Sequence, residues 1–125
     1  MTGEELVARA ETVAGRAYAP YSNYRVGAVV LARDGRVFDG VNVENAAYPL
    51  GVCAERTAIA KAASEGVRPG EVEAIGITAS PCGGCRQWLH EWGFDRVWFR
   101  REDGSIAAYE PASALLPDTW NLPEG

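Results

Sequence analysis

The sequence has little of what builds secreted, membrane-spanning or nucleic-acid-binding proteins. Its 125 residues include only three cysteines, an odd number that does not fit a closed disulfide framework. Residues 1–5 carry two acids and no long apolar run follows, so we expect neither an export signal nor a membrane span. The 12 basic residues are outnumbered by 17 acidic ones, which argues against nucleic-acid binding. These absences predict a cytoplasmic protein, whose clustered cysteines would hold metal or perform chemistry.

The remaining composition predicts one globular domain over residues 1–125. Apolar residues make up 47% of the chain and charged residues 23%, a balance typical of folded domains. Apolar spacing and turn residues predict helices over 3–17, 53–65, 81–93 and 111–116, and strands over 25–32, 36–43, 72–79, 96–100 and 105–109. Several strands are apolar on both alternating faces and therefore need helices on both sides. We predict a three-layer α/β/α sandwich around a five-stranded mixed sheet.

The three cysteines occupy positions that suit a metal site. Cys82 and Cys85 form a C-x-x-C pair, and Cys53 lies at the start of another predicted helix. Helix N-termini favour thiolates, so two converging helix starts would build a three-sulfur zinc site. The only histidine, His90, lies about 140° around its helix from Cys85 and is poorly placed as a fourth ligand. Three protein ligands leave a position for water, as in catalytic zinc sites.

Charged residues next to the cysteines suggest chemistry at this site. Glu55 follows Cys53 by two residues and could act as a proton shuttle beside the bound water; alternatively it is an ordinary first-turn acid. Arg56 and Arg86 could donate hydrogen bonds to the sulfurs and restore the Lewis acidity of the ion; alternatively each forms a surface ion pair. A ligand-x-Glu element followed by P-C-x-x-C is the pattern of zinc deaminases.

Beyond the metal motif, the chain resembles the cytidine deaminase family in its small, tetrameric, three-cysteine form. The resemblance covers nearly the whole chain. It is carried by residues 19–24 (APYSNY), 26–28 (VGA), 40–46 (GVNVENA), 48–58 (YPLGVCAERTA), 80–87 (SPCGGCRQ) and 115–118 (LLPD). It implies one zinc ion per subunit, held by the three cysteines, with Glu55 as the proton shuttle.

The resemblance also implies roles in substrate binding. Asn42 and Glu44 would hold the ribose hydroxyls, although by themselves they also suit a polar strand end. Alternate strand positions face the same side, and both side chains can accept from hydroxyl groups. Tyr24 would lie against the flat base at a position where the family usually has phenylalanine. Backbone groups around Ala54 and Ser80 would read the pyrimidine edge.

Two further aromatic residues have roles that depend on the implied homotetramer. Tyr48 would lie at a subunit contact near a neighbouring site. Trp120 would cover an active site of the tetramer, at a position where the family usually has phenylalanine. Plain core or interface packing is the alternative for Trp120 and also for Tyr24. The segment over residues 77–81, at the expected pocket wall, is shorter than in many relatives.

The resulting hypothesis is hydrolytic deamination of cytidine and 2′-deoxycytidine to uridine and 2′-deoxyuridine, with release of ammonia, in pyrimidine salvage. The expected partner is a small nucleoside, with no nucleic acid and no membrane. One alternative is the same chemistry on another aminated heterocycle, such as a cytosine nucleoside antibiotic. A second is a non-catalytic, zinc-stabilised assembly module, and a third is a redox role for the C-x-x-C pair.

Overall fold

The computed structural model describes residues 1–123, so the last two residues of the predicted domain lie outside it. Its regular elements are helices α1 (Gly3–Ala14), α2 (Ala54–Ser64) and α3 (Gly83–Trp92), and strands β1 (Gly27–Ala32), β2 (Val37–Val41), β3 (Val72–Ile77), β4 (Arg96–Arg100) and β5 (Ile106–Tyr109). The strands form one sheet in the order β2-β1-β3-β4-β5, in which only the β3–β4 pair is parallel. Among the described residues, no helix is long and apolar enough to cross a bilayer.

Helices cover both faces of the sheet, which confirms the predicted α/β/α sandwich. All six residues of β1 are buried, as its continuous apolar sequence predicts. On one face, Leu6 and Ala10 of α1 pack with Val29 of β1. On the other face, α2 and α3 contribute Ala58 and Leu89 to the larger core.

Helix α2 lies unusually close to strand β2. A Cβ atom added at Gly40 would lie 2.6 Å from the carbonyl oxygen of Ala54 and 2.4 Å from the amide nitrogen of Ala58. Only glycine opposite an alanine-rich helix face allows this approach. The close packing fixes the height of α2 on the sheet and therefore the place of Cys53, the N-cap residue of this helix.

The structure shortens several predicted elements. Helix α1 ends at Ala14 rather than residue 17, because Tyr18 pairs with the backbone of Asn42 and Glu44 instead of continuing the helix. Strand β2 ends at Val41, and Val43 forms isolated bridges with Tyr18 and Val52. The predicted last helix is a short 3₁₀ helix, Ala112–Leu115.

Candidate active site

The three cysteine side chains converge where the N-termini of α2 and α3 meet. Cys53 and Cys82 are the N-cap residues of these helices, and Cys85 lies buried in the first turn of α3. Their sulfur atoms all lie within 4.8 Å of one another. Zinc–sulfur bonds of about 2.3 Å at tetrahedral angles would place the sulfurs about 3.8 Å apart. The donor set and its spacing therefore fit a zinc ion.

The environment of the cysteines favours the anionic form that binds metal. A hydrogen bond from Cys85 and the guanidinium of Arg56 lower the pKa of Cys53 to about 5. The same interaction with Cys53, together with burial, raises the pKa of Cys85, because a second thiolate beside the first is unfavourable. A divalent cation would remove this repulsion and displace the remaining protons.

Glu55 is buried next to this cluster, with only 4% of its surface exposed. Burial raises the pKa of its carboxyl group above the ordinary value, and the charge on Cys53 adds to this effect. An acid whose pKa is moved toward neutrality is suited to both accepting and donating protons. The structure thus brings Glu55 together with the predicted metal ligands at one end of α2.

A cavity of about 190 Å³ opens onto the cluster and Glu55. Its wall includes four residues that the sequence assigned to the substrate: Tyr24, Asn42, Ala54 and Ser80. Val26 and Ala79 also line it and were not predicted. Val26 lies two residues after Tyr24, and Ala79 lies directly before Ser80. Closeness in sequence to a predicted site residue could therefore have indicated both.

Asn42 and Glu44 hold the loop that carries Tyr24. The side-chain amide of Asn42 accepts from the Val26 backbone N–H at 2.8 Å and donates to the Tyr24 carbonyl at 2.8 Å. The carboxylate of Glu44 accepts from the backbone and hydroxyl of Ser22. The hydroxyl of Ser22 also accepts from the Tyr24 backbone N–H at 3.0 Å. Ser22 is therefore a part of the site that the sequence did not reveal.

The two arginines next to the cysteines have different partners. Arg56 donates from Nη2 to the Cys53 sulfur at 3.2 Å, the kind of contact the sequence suggested. The suggestion was wrong for Arg86, whose three side-chain hydrogen bonds in the described chain go to Pro81, Ser80 and Leu115. The reason is geometric: the Arg86 side chain turns back over the start of α3 and reaches oxygen acceptors there.

Tyr48 and Trp120 lie outside the cavity of their own chain. Tyr48 is 77% exposed and lines a neighbouring cleft of about 280 Å³, together with Glu44 and Arg56. Trp120 is 66% exposed. His90 is not part of the three-sulfur group, and its Nε2 lies 2.7 Å from Oδ1 of Asn121.

The fold and the site together define a zinc-binding hydrolytic deaminase: three sulfurs converge at the ends of two helices, and two of them, Cys53 and Cys82, line one cavity together with the buried carboxylate of Glu55. The profile described as "Cytidine and deoxycytidylate deaminase zinc-binding region" matches residues 1–101. The chain belongs to this family. Its three-cysteine group is accordingly the zinc site.

Relatives along the whole chain agree with this assignment. A cytidine deaminase of Sporosarcina psychrophila is 45% identical over 97% of this chain and 93% of its own length. The crystal structure of a cytidine deaminase from Burkholderia pseudomallei superposes with a TM-score of 0.88, at 43% identity over 96% of this chain and 100% of the other. A cytidine deaminase structure from Mycobacterium tuberculosis gives a TM-score of 0.81 at 34% identity, over 98% and 99% of the two chains.

Proposed function

We propose that the protein converts cytidine and 2′-deoxycytidine to uridine and 2′-deoxyuridine with release of ammonia. The observation that carries this proposal is the position of Glu55, buried beside three converging sulfurs at the cavity. The names of the relatives support the substrate class. We further propose that the whole chain acts as one domain in cytoplasmic pyrimidine salvage, because free thiols that bind zinc suit a reducing compartment.

The chemistry requires a nucleophile from water and two proton transfers. When bound, zinc acts as a Lewis acid that lowers the pKa of water from 15.7 to about 7. Glu55 would accept a proton from the attacking water and deliver it to ring N3, which makes C4 more electrophilic. The water oxygen bonds to C4, and Glu55 moves a second proton to the amino group. The C4–N bond then breaks, ammonia leaves, and the oxygen remains as the 4-oxo group.

The residues predicted to contact the base and the ribose would orient the nucleoside for this reaction; Glu44 lines the neighbouring cleft and the others line the cavity. Tyr24, Ala54 and Ser80 line the cavity. Tyr24 would lie against the flat base, and backbone groups around Ala54 and Ser80 would read the pyrimidine edge. Asn42 and Glu44 would hold the ribose hydroxyls with the acceptor capacity left after their contacts to the 21–26 loop. Their existing hydrogen bonds fix both side chains before substrate arrives, which reduces the entropy lost on binding.

The charges around the cavity favour a nucleoside over a nucleotide. Among the described residues, the cavity lining contains no lysine or arginine; the neighbouring cleft carries Glu44 and Arg56, and this arginine donates to the Cys53 sulfur. A 5′-phosphate would therefore find no cation in this wall. We expect activity on 2′-deoxycytidine to exceed activity on its 5′-monophosphate strongly.

We also propose that the protein works as a homotetramer. Tyr48 and Trp120 are large aromatic side chains with most of their surface exposed, and neither lines the cavity of its own chain. In a tetramer they would be covered and would meet sites of neighbouring subunits. Light scattering of the purified protein at several concentrations tests this state, and a stable monomer would contradict it.

The decisive experiment measures ammonia release and zinc content on the same sample. We expect about one zinc per chain and turnover of cytidine and 2′-deoxycytidine. Cytosine and 2′-deoxycytidine 5′-monophosphate serve as poor-substrate controls. Zinc without ammonia from any pyrimidine would support a non-catalytic assembly module. Negligible cytidine turnover with activity on another aminated heterocycle would favour the alternative substrate class.

A further inference from the structure

Arg86 makes an unusual set of contacts directly after the buried ligand Cys85. Its Nε donates to the carbonyl oxygen of Pro81 at 2.9 Å. Its Nη2 donates to the hydroxyl of Ser80 at 3.1 Å, and its Nη1 donates to the carbonyl oxygen of Leu115 at 3.2 Å. All three guanidinium nitrogens are thus used, in the planar fork that only arginine provides.

The acceptors belong to two segments that meet at the active site. Ser80 and Pro81 connect the end of β3 to the zinc ligand Cys82, and Ser80 also lines the cavity. Leu115 is the buried last residue of the 3₁₀ helix Ala112–Leu115, on the C-terminal segment. One guanidinium therefore links the cavity wall, the approach to a metal ligand and the C-terminal segment.

Few hydrogen bonds besides those of Arg86 hold the connection between β3 and α3, in which Pro81 is also buried by packing. Thr78 is fixed at its beginning by hydrogen bonds with Gly27. Within residues 1–123, the hydrogen bonds of Ser80 and Pro81 all come from Arg86. The backbone N–H of Arg86 also donates to the carbonyl oxygen of Cys82 at 2.9 Å. This last contact is the ordinary i→i−4 bond of the first turn of α3, so the Arg86 side chain itself holds the loop through Ser80 and Pro81, directly before Cys82.

We propose that Arg86 is a positioning residue that sets the Ser80–Pro81 segment, and through it both the place of Cys82 relative to Cys85 and the wall that meets the pyrimidine. The second part rests on the proposed function. The role differs from that of Arg56, which donates directly to a sulfur. Loss of Arg86 loosens a ligand and a binding surface together, so zinc retention and substrate affinity should fall in the same variant.

The test compares Arg86→Gln and Arg86→Lys with a matched control, Arg33→Gln. Arg33 also uses three nitrogens, donating to the carbonyl oxygen of Gly70 and to both carboxylate oxygens of Asp95, and it lines none of the site. For each purified zinc-loaded protein we would measure the rate of zinc transfer to a chromogenic chelator, KM and kcat for cytidine, and Tm.

We expect Arg86→Gln to bind zinc but to lose it about tenfold faster than wild type, since outer contacts of metal ligands affect affinity on this scale. Its KM should rise about tenfold, with a smaller change in kcat. Arg86→Lys should lie between, because an ammonium replaces only part of the fork. Arg33→Gln should keep the wild-type rate of zinc release and the wild-type KM, even if its Tm falls as much as that of Arg86→Gln.

Three results would overturn the proposal. The first is wild-type zinc release and KM in Arg86→Gln. The second is an Arg86→Lys protein identical to wild type, which would mean that charge alone matters. The third is the same losses in Arg33→Gln, which would mean general destabilisation. Should Arg86→Gln not fold, Arg86→Lys carries the test. Absence of turnover in the wild type would refute the proposed function, while the zinc-release rates would still test Arg86.

Discussion

Arg56 and Cys53, one helical turn apart at the start of α2, are joined by a hydrogen bond of 3.2 Å from Nη2 to the sulfur. The contact raises the pKa of the guanidinium and helps to lower that of the thiol. Three thiolates on a divalent ion leave a net negative site, which weakens its ability to acidify water. The positive charge of Arg56 counters this effect, so it should influence catalysis more than metal retention.

Replacing this arginine tests the idea directly. We expect Arg56→Gln to retain zinc while kcat for cytidine falls about 10- to 100-fold, the range typical of groups that tune metal ligands. Lys61→Gln is the control, because Lys61 is an exposed cation in the last turn of the same helix. Metal analysis and steady-state kinetics check both variants. An unchanged kcat in Arg56→Gln would show that the sulfur contact has no electrostatic role in turnover.

Ser22 should affect substrate affinity through Glu44. Its hydroxyl donates to the Glu44 carboxylate and accepts from the Tyr24 backbone, so it links the proposed ribose and base contacts. We expect Ser22→Ala to raise KM for cytidine about tenfold, since a hydrogen bond to a charged group is lost. The control, Ser64→Ala, removes a hydroxyl whose hydrogen bond within residues 1–123 goes to the Ala60 carbonyl of the same helix. Equal KM values in the two variants would refute the link.

The Ser22→Ala variant should lose less stability than wild type on acidification. The Ser22 hydroxyl is the main cause that holds the pKa of Glu44 below its ordinary value. A carboxyl group whose pKa is lower in the folded than in the unfolded state adds stability at pH values above the unfolded-state pKa. That stability is lost as pH falls through the folded-state pKa. We therefore expect the Tm difference between wild type and Ser22→Ala to be largest at neutral pH and to shrink on acidification. A constant difference would contradict this assignment.

Gly40 should be essential for the close packing of α2. A methyl group there would lie 2.4 Å from a helix backbone atom, so Gly40→Ala must move the helix or strain the strand. We expect a loss of about 1–3 kcal/mol in the free energy of unfolding, as for other overpacked sites. Gly15→Ala is the control, because its added methyl would make only an ordinary 3.6 Å contact. Urea denaturation of both variants gives the comparison.

The sequence predicted the metal site well because the relevant information is local. Cys53 and Glu55 lie at one helix start, and Cys82 and Cys85 at another, so short spacings define both halves. The continuous apolar strands predicted helices on both faces of one sheet. Packing on the same sheet allows the starts of α2 and α3 to meet. The prediction of the three-layer fold followed from the same pattern and was confirmed.

The predictions that needed longer-range geometry were less successful. For Arg86 the sequence left a sulfur contact and a surface ion pair open, but its side chain reaches the carbonyl oxygen of Leu115, 29 residues away in sequence. The contact of Ser22 with Glu44 was not predicted, because it joins positions 22 residues apart through the shape of a loop. The end of α1 was placed too late because the pairing of Tyr18 with Glu44 replaces helical hydrogen bonds that local spacing favours.

The central claim is that Glu55 moves protons beside a three-cysteine zinc site, and Glu55→Gln tests it most directly. The amide keeps the size of the buried side chain but cannot shuttle a proton, so we expect kcat for cytidine to fall about 10²- to 10⁴-fold. Zinc content and Tm should match those of Glu91→Gln, a change at an exposed position on α3. A Glu55→Gln protein that retains zinc and deaminates cytidine at the wild-type rate would contradict the account.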